Sequence, residues 1–189
     1  MEGNLFPSLQ KHSRQIPMNY KEKLAKTKIF IFDVDGVFTD NIVWLFPDGE
    51  QMRTANVRDG YAVQLAVKNG FRIAVISGGR SEAVRARFEK LGVHEVHLGS
   101  SNKRQVYLDL KSKWHFHDDD VCYMGDDIPD LPLLKIVGLA CCPADAAPEV
   151  KEVSHYISNK NGGHGCVRDL MEQALKLHGH WMNEESVIW

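Results

Sequence analysis

The chain has 189 residues, of which 43% are hydrophobic and 25% are charged, and these proportions suit one globular domain with a substantial core. Its formal net charge is −2 at pH 7, so bulk electrostatics give no attraction to nucleic acid. No apolar run approaches the ~18 residues of a membrane span, and no basic start leads into the apolar core of a signal peptide. We therefore expect a soluble, cytoplasmic protein with no nucleic-acid or membrane partner.

The N-terminal region differs in composition from the rest of the chain. Residues 1–26 mix lysine, histidine, proline and asparagine with scattered apolar positions, which predicts an extended or partly disordered arm with a short helix over 21–26. The apolar run Ile29 to Phe32 shows no alternation, which is typical of a strand buried on both faces of a parallel sheet. We predict a core domain over 27–178 and a C-terminal tail over 179–189.

Two carboxylates follow the first predicted strand directly. Asp33 ends it and Asp35 comes two residues later, at the edge where open α/β sheets bind ligands. Close like charges repel and need a counter-ion, and Mg²⁺ prefers carboxylate and phosphate oxygens. The pair therefore indicates a metal site with a spare carboxylate for chemistry, although a strand end with two solvated aspartates would give the same pattern.

Residues 42–55 predict a β-hairpin. The apolar run Val43 to Phe46 is followed by Pro47-Asp48-Gly49, and Asp-Gly between two strand-like runs is a hairpin signal. A hairpin inserted directly after the first strand would stand over the candidate site as a flap. The next predicted element is a helix over 60–68, which ends before Gly70.

The next two motifs combine helix starts with groups that bind anions. A strand predicted over 71–76 ends at Ser77-Gly78-Gly79, ahead of a helix predicted over 82–91. A hydroxyl beside free backbone N–H groups at a helix start forms an anion site, and glycines let a phosphate approach the backbone. Lys103 opens a helix predicted over 103–113. A cation in the first turn opposes the helix dipole, so this placement fits an anion held nearby.

The last acidic motif, Gly125-Asp126-Asp127-Ile128-Pro129-Asp130, follows a strand predicted over 121–124. The elements predicted after it are a helix over 129–136, strands over 137–140 and 156–157, and a helix over 165–177. Strands that alternate with helices favour parallel pairing with right-handed crossovers. We therefore predict the α/β class, with a doubly wound, Rossmann-like and mostly parallel sheet.

The four cysteines predict reduced, buried thiols. None belongs to a Cys-x-x-Cys pair, and the vicinal pair Cys141-Cys142 is a poor disulfide. The same spacing argues against a zinc site. Cysteine usage thus agrees with a cytoplasmic location.

Together the motifs resemble those of a known superfamily. The order Asp-x-Asp, Ser77, Lys103 and Gly-Asp-Asp-x-x-Asp resembles the four motifs of the haloacid dehalogenase superfamily of phosphohydrolases. Further segments make the chain similar to the 3-deoxy-D-manno-octulosonate 8-phosphate phosphatase family; they are Asp33 to Asp40, Asn56 to Gly60, Ser101 to Lys103 and Gly162 to Arg168. The chain has Phe38, Ser77 and Cys166 where that family more often has Leu, Thr and Ala, and none of these changes removes a catalytic group.

This resemblance implies a capless, magnesium-dependent phosphatase of lipopolysaccharide biosynthesis that works through an aspartyl-phosphate. Asp33 would be the nucleophile, and Asp35 would protonate the leaving group and then activate water. Mg²⁺ would be held by Asp33, by the backbone carbonyl of Asp35 and by Asp126. Ser77 and Lys103 would bind the phosphate oxygens.

The resemblance implies supporting and substrate-binding residues as well. Asp127 and Asp130 would orient Asp126 and Lys103, although a capped helix start explains both aspartates nearly as well. A sugar acid presents a carboxylate, which arginine recognises through two parallel hydrogen bonds. The candidate substrate-binding residues are Arg58, Gly78, Arg80, Lys103 and Arg168.

A capless site needs a cover from elsewhere. The family resemblance implies a homotetramer in which the hairpin and the C-terminal tail of a neighbouring subunit complete each site. The segment Gly162-Gly163-His164-Gly165 fits such a mobile tail, and it fits equally well a loop before the last helix.

Three other interpretations use the same residues. A response-regulator receiver also has an acidic pair, a hydroxyl residue and a lysine, but in receivers the lysine comes last, whereas here the motif ending at Asp130 follows Lys103. A non-catalytic, phosphatase-like oligomerisation domain would not need both acidic motifs intact. The third alternative is a sister phosphatase that acts on a 9-carbon keto sugar acid 9-phosphate.

Overall fold

The computed structural model describes residues 19–187. Residues 1–18 of the predicted arm and residues 188–189 of the predicted tail lie outside this range. The described chain begins with helix α1, Tyr20–Leu24. Leu24 is fully buried in the core, so the helix at the end of the predicted arm packs against the rest of the fold.

The described residues form eight strands, seven α-helices and three short 3-10 helices. The strands are β1 Ile29–Phe32, β2 Trp44–Leu45, β3 Gln51–Met52, β4 Arg72–Ile76, β5 Glu95–His97, β6 Val121–Met124, β7 Leu139–Cys142 and β8 Tyr156–Ile157. The remaining helices are α2 Val57–Lys68, α3 Glu82–Lys90, α4 Lys103–Trp114, α5 Leu131–Leu134, α6 Pro148–Val153 and α7 Cys166–Leu177. Six strands form one parallel sheet in the order β5-β4-β1-β6-β7-β8, which confirms the predicted fold class. In the described part of the chain, no helix is long and apolar enough to cross a membrane.

Strand β1 lies at the centre of the sheet. It pairs with β4 on one side and β6 on the other, so that Phe32 lies opposite both Val75 and Met124. The chain first builds outward through β4 and β5, and then returns to add β6, β7 and β8 on the other side. Such a reversal opens a crevice at the carboxyl ends of the central strands, where α/β proteins bind ligands.

The side chains of β1 divide between two cores. Phe30 and Phe32 pack with α1, α2, α3 and α7 on one face, whereas Ile29 and Ile31 pack with α4, α5 and α6 on the other. Burying a side chain of this size contributes about 1.5–3 kcal/mol. Because helices cover both faces of the sheet, the strand has an uninterrupted apolar sequence.

Several parts of the fold differ from the sequence prediction. Helix α2 begins at Val57 rather than at residue 60. Strand β7 begins at Leu139 rather than at 137, because Gly138 lies in the preceding turn and donates its N–H to the carbonyl of Asp118 at 2.7 Å. The helix predicted over 129–136 is divided into a 3-10 turn, Ile128–Asp130, and the one-turn helix α5. The sequence pattern predicts neither the short strand β5 nor the six-residue helix α6.

The hairpin of β2 and β3 lies between β1 and α2 in the chain, within the predicted range 42–55. Trp44 pairs with Met52, and Leu45 pairs with Gln51. Trp44 and Leu45 are 59% and 76% exposed, which is unusual for adjacent large apolar side chains. The described chain between β1 and β4 builds this hairpin and α2 and no larger cover for the crevice.

The glycine-rich segment before α7 is a packed loop. Gly163 donates its N–H to the carbonyl of Val37 at 2.9 Å, and the side chain of Asn56 donates to the carbonyl of Gly163 at 3.2 Å. A Cβ atom at Gly162 would lie 2.0 Å from the carbonyl oxygen of Gly36, so a larger residue does not fit there. These contacts favour the loop interpretation of this segment over the mobile tail.

Candidate active site

The two acidic motifs meet at the carboxyl edge of the sheet. Asp33 donates its backbone N–H to the carbonyl of Met124 at 3.0 Å, which extends the pairing of β1 and β6 to this edge. The chain then turns at Gly36, whose φ is +79°. A Cβ atom at Gly36 would lie 2.0 Å from Oδ2 of Asp126. Glycine therefore permits both the turn and the close approach of the two motifs.

Three buried carboxylates form the centre of the site. Asp33, Asp126 and Asp130 each have a carboxylate oxygen within 4.8 Å of the others, and their exposed fractions are 7%, 6% and 0%. Nζ of Lys103 lies 2.8 Å from Oδ2 of Asp33 and 2.6 Å from Oδ1 of Asp130. One ammonium group therefore faces three carboxylates.

Asp130 is held by several donors. Besides Lys103, its carboxylate accepts hydrogen bonds from the hydroxyl of Tyr123 at 2.6 Å and from the backbone N–H groups of Asp126 and Asp127 at 2.9 and 3.4 Å. A carboxylate with this many donors is poorly available to a metal. Its position agrees with the orienting role predicted for it, because it contacts both Lys103 and the backbone of Asp126.

Burial perturbs the charged groups of the centre. Burial raises the pKa of Asp33 from its ordinary value near 3.8 to about 7, and Asp130 adds to the rise, while Lys103 opposes it. Burial likewise raises the pKa of Asp126 to about 6, against the hydrogen bond from Asn41. Burial by itself would lower the pKa of Lys103, but the charges of Asp33 and Asp130 prevail and raise it. The site therefore has an excess of negative charge.

This excess fits a hard divalent cation. Asp33 and Asp126 offer carboxylate oxygens from two adjacent strand ends, and such oxygens are the ligands that Mg²⁺ prefers. A cation between them would favour their ionised forms and so reverse the rise in pKa that burial causes.

Asp35 lies beside this centre and is held differently. Nε and Nη2 of Arg53 donate to its two carboxylate oxygens at 2.6 and 3.1 Å. Arg53 follows directly after β3, so the hairpin supplies this contact. No motif of the sequence singles out Arg53.

The phosphate-binding motif predicted from the sequence lines the same cavity as Asp33 and Asp35. The backbone N–H of Ser77 donates to the carbonyl of His97, and its Oγ accepts the N–H of Gly79 at 3.1 Å. A cavity of about 500 Å³ opens here. Its walls bring together most of the predicted site residues, namely Asp33, Asp35, Ser77, Gly78, Lys103, Asp126, Asp127 and Asp130.

Comparison with known proteins identifies the family. The sequence profile of the haloacid dehalogenase-like hydrolases matches residues 79–170. The Escherichia coli K12 protein KdsC, a 3-deoxy-D-manno-octulosonate 8-phosphate phosphatase, is 34% identical over 157 residues, which cover 83% of this chain and 84% of that protein. The chain belongs to the 3-deoxy-D-manno-octulosonate 8-phosphate phosphatase family.

Solved structures of family members share the fold. The Yersinia pestis phosphatase superposes with a TM-score of 0.83 at 31% identity, covering 85% of this chain and 87% of its own. The Moraxella catarrhalis phosphatase, solved in complex with magnesium, phosphate and a KDO molecule, gives a TM-score of 0.81 at 30% identity, covering 84% of this chain and 91% of its own.

The arginines that the family resemblance suggested lie outside the central cavity. Arg80 lines an adjoining cavity of about 600 Å³ between the hairpin and α3. Arg58 is exposed at the start of α2. Arg168 is already engaged, because its guanidinium lies 4.3 Å from the ring centroid of Trp181 and pairs with Glu172 at 2.9 Å. Substrate binding by these three arginines stays a prediction.

Proposed function

We propose that this protein hydrolyses 3-deoxy-D-manno-octulosonate 8-phosphate to the free sugar acid and inorganic phosphate, as a step of lipopolysaccharide biosynthesis. The observation that carries the proposal is the buried cluster of Asp33, Asp126 and Lys103 at the carboxyl edge of the sheet. The similarity to phosphatases of that name over most of the chain supports the substrate. The four free cysteines in the described residues, all of them buried, support the cytoplasm as the place of action.

Asp33 and Asp35 carry out the covalent chemistry in this proposal. A carboxylate oxygen of Asp33 attacks phosphorus, the bond from phosphorus to the sugar oxygen breaks, and Asp35 gives its proton to the departing alkoxide. Water then attacks the aspartyl-phosphate and passes a proton to Asp35. The bond from phosphorus to Asp33 breaks, so phosphate leaves and both side chains return to their starting forms.

The remaining groups hold the phosphate in line with Asp33. Lys103 and the hydroxyl of Ser77 bind its non-bridging oxygens, and Gly78 lets the backbone approach them. Asp130 keeps Lys103 in place. The ligands of Mg²⁺ would be Asp33, the backbone carbonyl of Asp35 and Asp126, and the ion would supply neutralisation of the phosphate charge.

A homotetramer completes the site in this proposal. The exposed apolar side chains Trp44, Leu45 and Phe46 on the hairpin support it, because contiguous apolar surface favours association. A neighbouring subunit would cover these side chains and shield the crevice from water. Light scattering at working concentration tests this assembly, and a fully active monomer would refute it.

Steady-state turnover on a panel of sugar phosphates tests the function. We expect the 8-carbon sugar acid phosphate to give the highest kcat/KM in the presence of Mg²⁺, with Asp33→Asn inactive on every substrate. A preference for a 9-carbon keto sugar acid 9-phosphate would redirect the proposal to the sister activity. A folded wild-type protein inactive on the whole panel would support the non-catalytic oligomerisation domain instead.

A further inference from the structure

The contact between Arg53 and Asp35 joins the hairpin to the reacting groups. Both carboxylate oxygens of Asp35 accept a hydrogen bond from the guanidinium, at 2.6 Å from Nε and 3.1 Å from Nη2. This parallel arrangement fixes the plane of the carboxylate as well as its position. Nη2 also lies 3.3 Å from the side-chain oxygen of Gln51, two residues earlier on the same arm of the hairpin.

The packing around this pair leaves it little freedom. The Arg53 side chain is 7% exposed, whereas that of Asp35 is 32% exposed and faces the cavity. A Cβ atom at Gly79 would lie 2.9 Å from Oδ2 of Asp35 and 3.2 Å from Nη2 of Arg53. Glycine at this position in the phosphate-binding motif thus leaves room for the ion pair.

Structural stability alone accounts poorly for this arginine. Its third nitrogen, Nη1, is buried and has no hydrogen-bond partner among the described residues. An unsatisfied buried donor destabilises the folded state, and a methionine of similar length would not carry that donor. The two nitrogens that do have partners are directed at Asp35.

We propose that Arg53 is a positioning residue for the acid–base step, and this inference rests on the proposed phosphatase function. It holds the carboxyl group of Asp35 in the orientation that delivers a proton to the leaving sugar oxygen and later accepts one from water. When Asp35 is protonated, the oxygen that carries the proton gives up its hydrogen bond from Arg53 and the other oxygen keeps its own. Attack by Asp33 does not depend on Arg53 in this scheme, because the hydrogen bonds of Arg53 go to the side chains of Asp35 and Gln51, whereas Asp33 is paired with Lys103. The hairpin therefore contributes to chemistry through Arg53.

Leaving-group dependence distinguishes this role from a general structural one. A poor leaving group, such as a sugar alkoxide, needs the proton from Asp35, whereas 4-nitrophenolate departs without it. We expect Arg53→Met to lower kcat/KM for the sugar phosphate by about 100-fold and for 4-nitrophenyl phosphate by less than about threefold. The parameter kcat/KM is chosen because it reports formation of the phosphoenzyme and excludes its later hydrolysis.

Three further variants show whether the effect passes through Asp35. Gln51→Met removes the neighbouring contact of Arg53 and leaves both bonds to Asp35, so its two rates should stay within about twofold of the wild type. Arg53→Lys keeps the charge without the bidentate geometry, so it should show an intermediate, leaving-group-dependent loss. In an Asp35→Asn background, Arg53→Met should lower kcat/KM by less than a further factor of about two, because Arg53 acts through Asp35.

The outcomes separate the two proposals. If Arg53→Met lowers kcat/KM equally for both substrates, or for neither, the role of Arg53 is overturned while the proposed function stands. If Arg53→Met does not fold by circular dichroism, the same comparison is made with Arg53→Lys, and an equal loss on both substrates overturns the role there. A folded wild type without activity on either substrate would refute the proposed function itself.

Discussion

Replacing Tyr123 by phenylalanine tests whether the hydrogen-bond network of Tyr123, Asp130 and Lys103 beneath the site stabilises the protein and positions Lys103. The Tyr123 ring is fully buried in strand β6, and its hydroxyl donates to Oδ1 of Asp130 at 2.6 Å. The same oxygen accepts from Nζ of Lys103 at 2.6 Å. The substitution removes one donor and keeps the ring in place, so it perturbs the network with little change in packing.

The expected loss of stability follows from the charge and burial of the acceptor. A hydrogen bond to a charged group contributes about 1.5–3 kcal/mol. Because Asp130 would keep Lys103 and the backbone N–H groups of Asp126 and Asp127, we expect the free energy of unfolding to fall by about 2 kcal/mol. Looser positioning of Lys103 should also lower kcat by about tenfold.

Tyr107 offers a matched control within the same sheet-facing core. Its ring is fully buried as well, and its hydroxyl donates to Oδ1 of Asp118 at 2.7 Å. The Asp118 side chain is 39% exposed, so water can replace the lost donor, and Tyr107→Phe should cost less than about 1 kcal/mol and leave kcat unchanged. Urea unfolding followed by circular dichroism, at one protein concentration, measures both losses. Equal losses for the two variants would contradict the proposed network.

Three further predictions concern the site and the core around it. Asp33→Asn should abolish turnover while the circular dichroism spectrum and melting temperature change little; near wild-type rates would remove Asp33 as the nucleophile. Chelation should abolish activity, Mg²⁺ should restore it and Ca²⁺ should inhibit, because its looser coordination misplaces the phosphate; full activity after exhaustive chelation would contradict this. Burial raises the pKa of Asp59 to about 6, so its protonated form favours the folded state and this stability is lost as pH rises from about 4 to about 6. The free energy of unfolding of Asp59→Asn should therefore exceed that of the wild type by an amount that grows to about 3 kcal/mol across that window. Wild-type and variant proteins whose free energies of unfolding, measured in urea, change equally with pH would refute it.

The carboxyl ends of β1, β4 and β6 can be predicted from the sequence, because the end of a local apolar run marks each of them. The apolar runs before Asp33 and Ser77 end directly at a polar group, and the run before Asp126 ends one residue earlier, at Gly125. Parallel strands bring such ends to one edge. The structure places all three around one cavity, as predicted. The sequence pattern does not predict strand β5, because Glu95–His97 is short and contains two polar residues. These residues are only partly buried, since β5 lies at the edge of the sheet.

Contacts between segments that are separated in the sequence cannot be predicted in this way, because they depend on how the segments fold onto each other. Arg53 meets Asp35 because the hairpin folds back over the strand end from which it leaves, and no local pattern reveals the angle of that return. Tyr123 gave a weak signal, since a buried tyrosine hydroxyl inside an apolar strand requires a partner. The sequence prediction assigns an orienting role to that partner, Asp130, but does not link it to Tyr123.

The charges of the site separate into two groups that differ in how firmly they are held. Lys103, Asp126 and Asp130 belong to strand ends and a helix start of the central sheet, where both cores fix the backbone. Asp35 instead depends on Arg53, which is carried by a two-stranded hairpin whose large apolar side chains Trp44 and Leu45 are exposed in the single chain. A two-stranded hairpin is marginally stable by itself, so whatever covers these side chains also fixes the orientation of Asp35. In the proposed mechanism, the groups that bind phosphate and metal therefore lie mainly at the ends of the sheet strands, while proton transfer depends on the hairpin. Burial of the hairpin in an oligomer would therefore act on the chemical step more than on phosphate affinity.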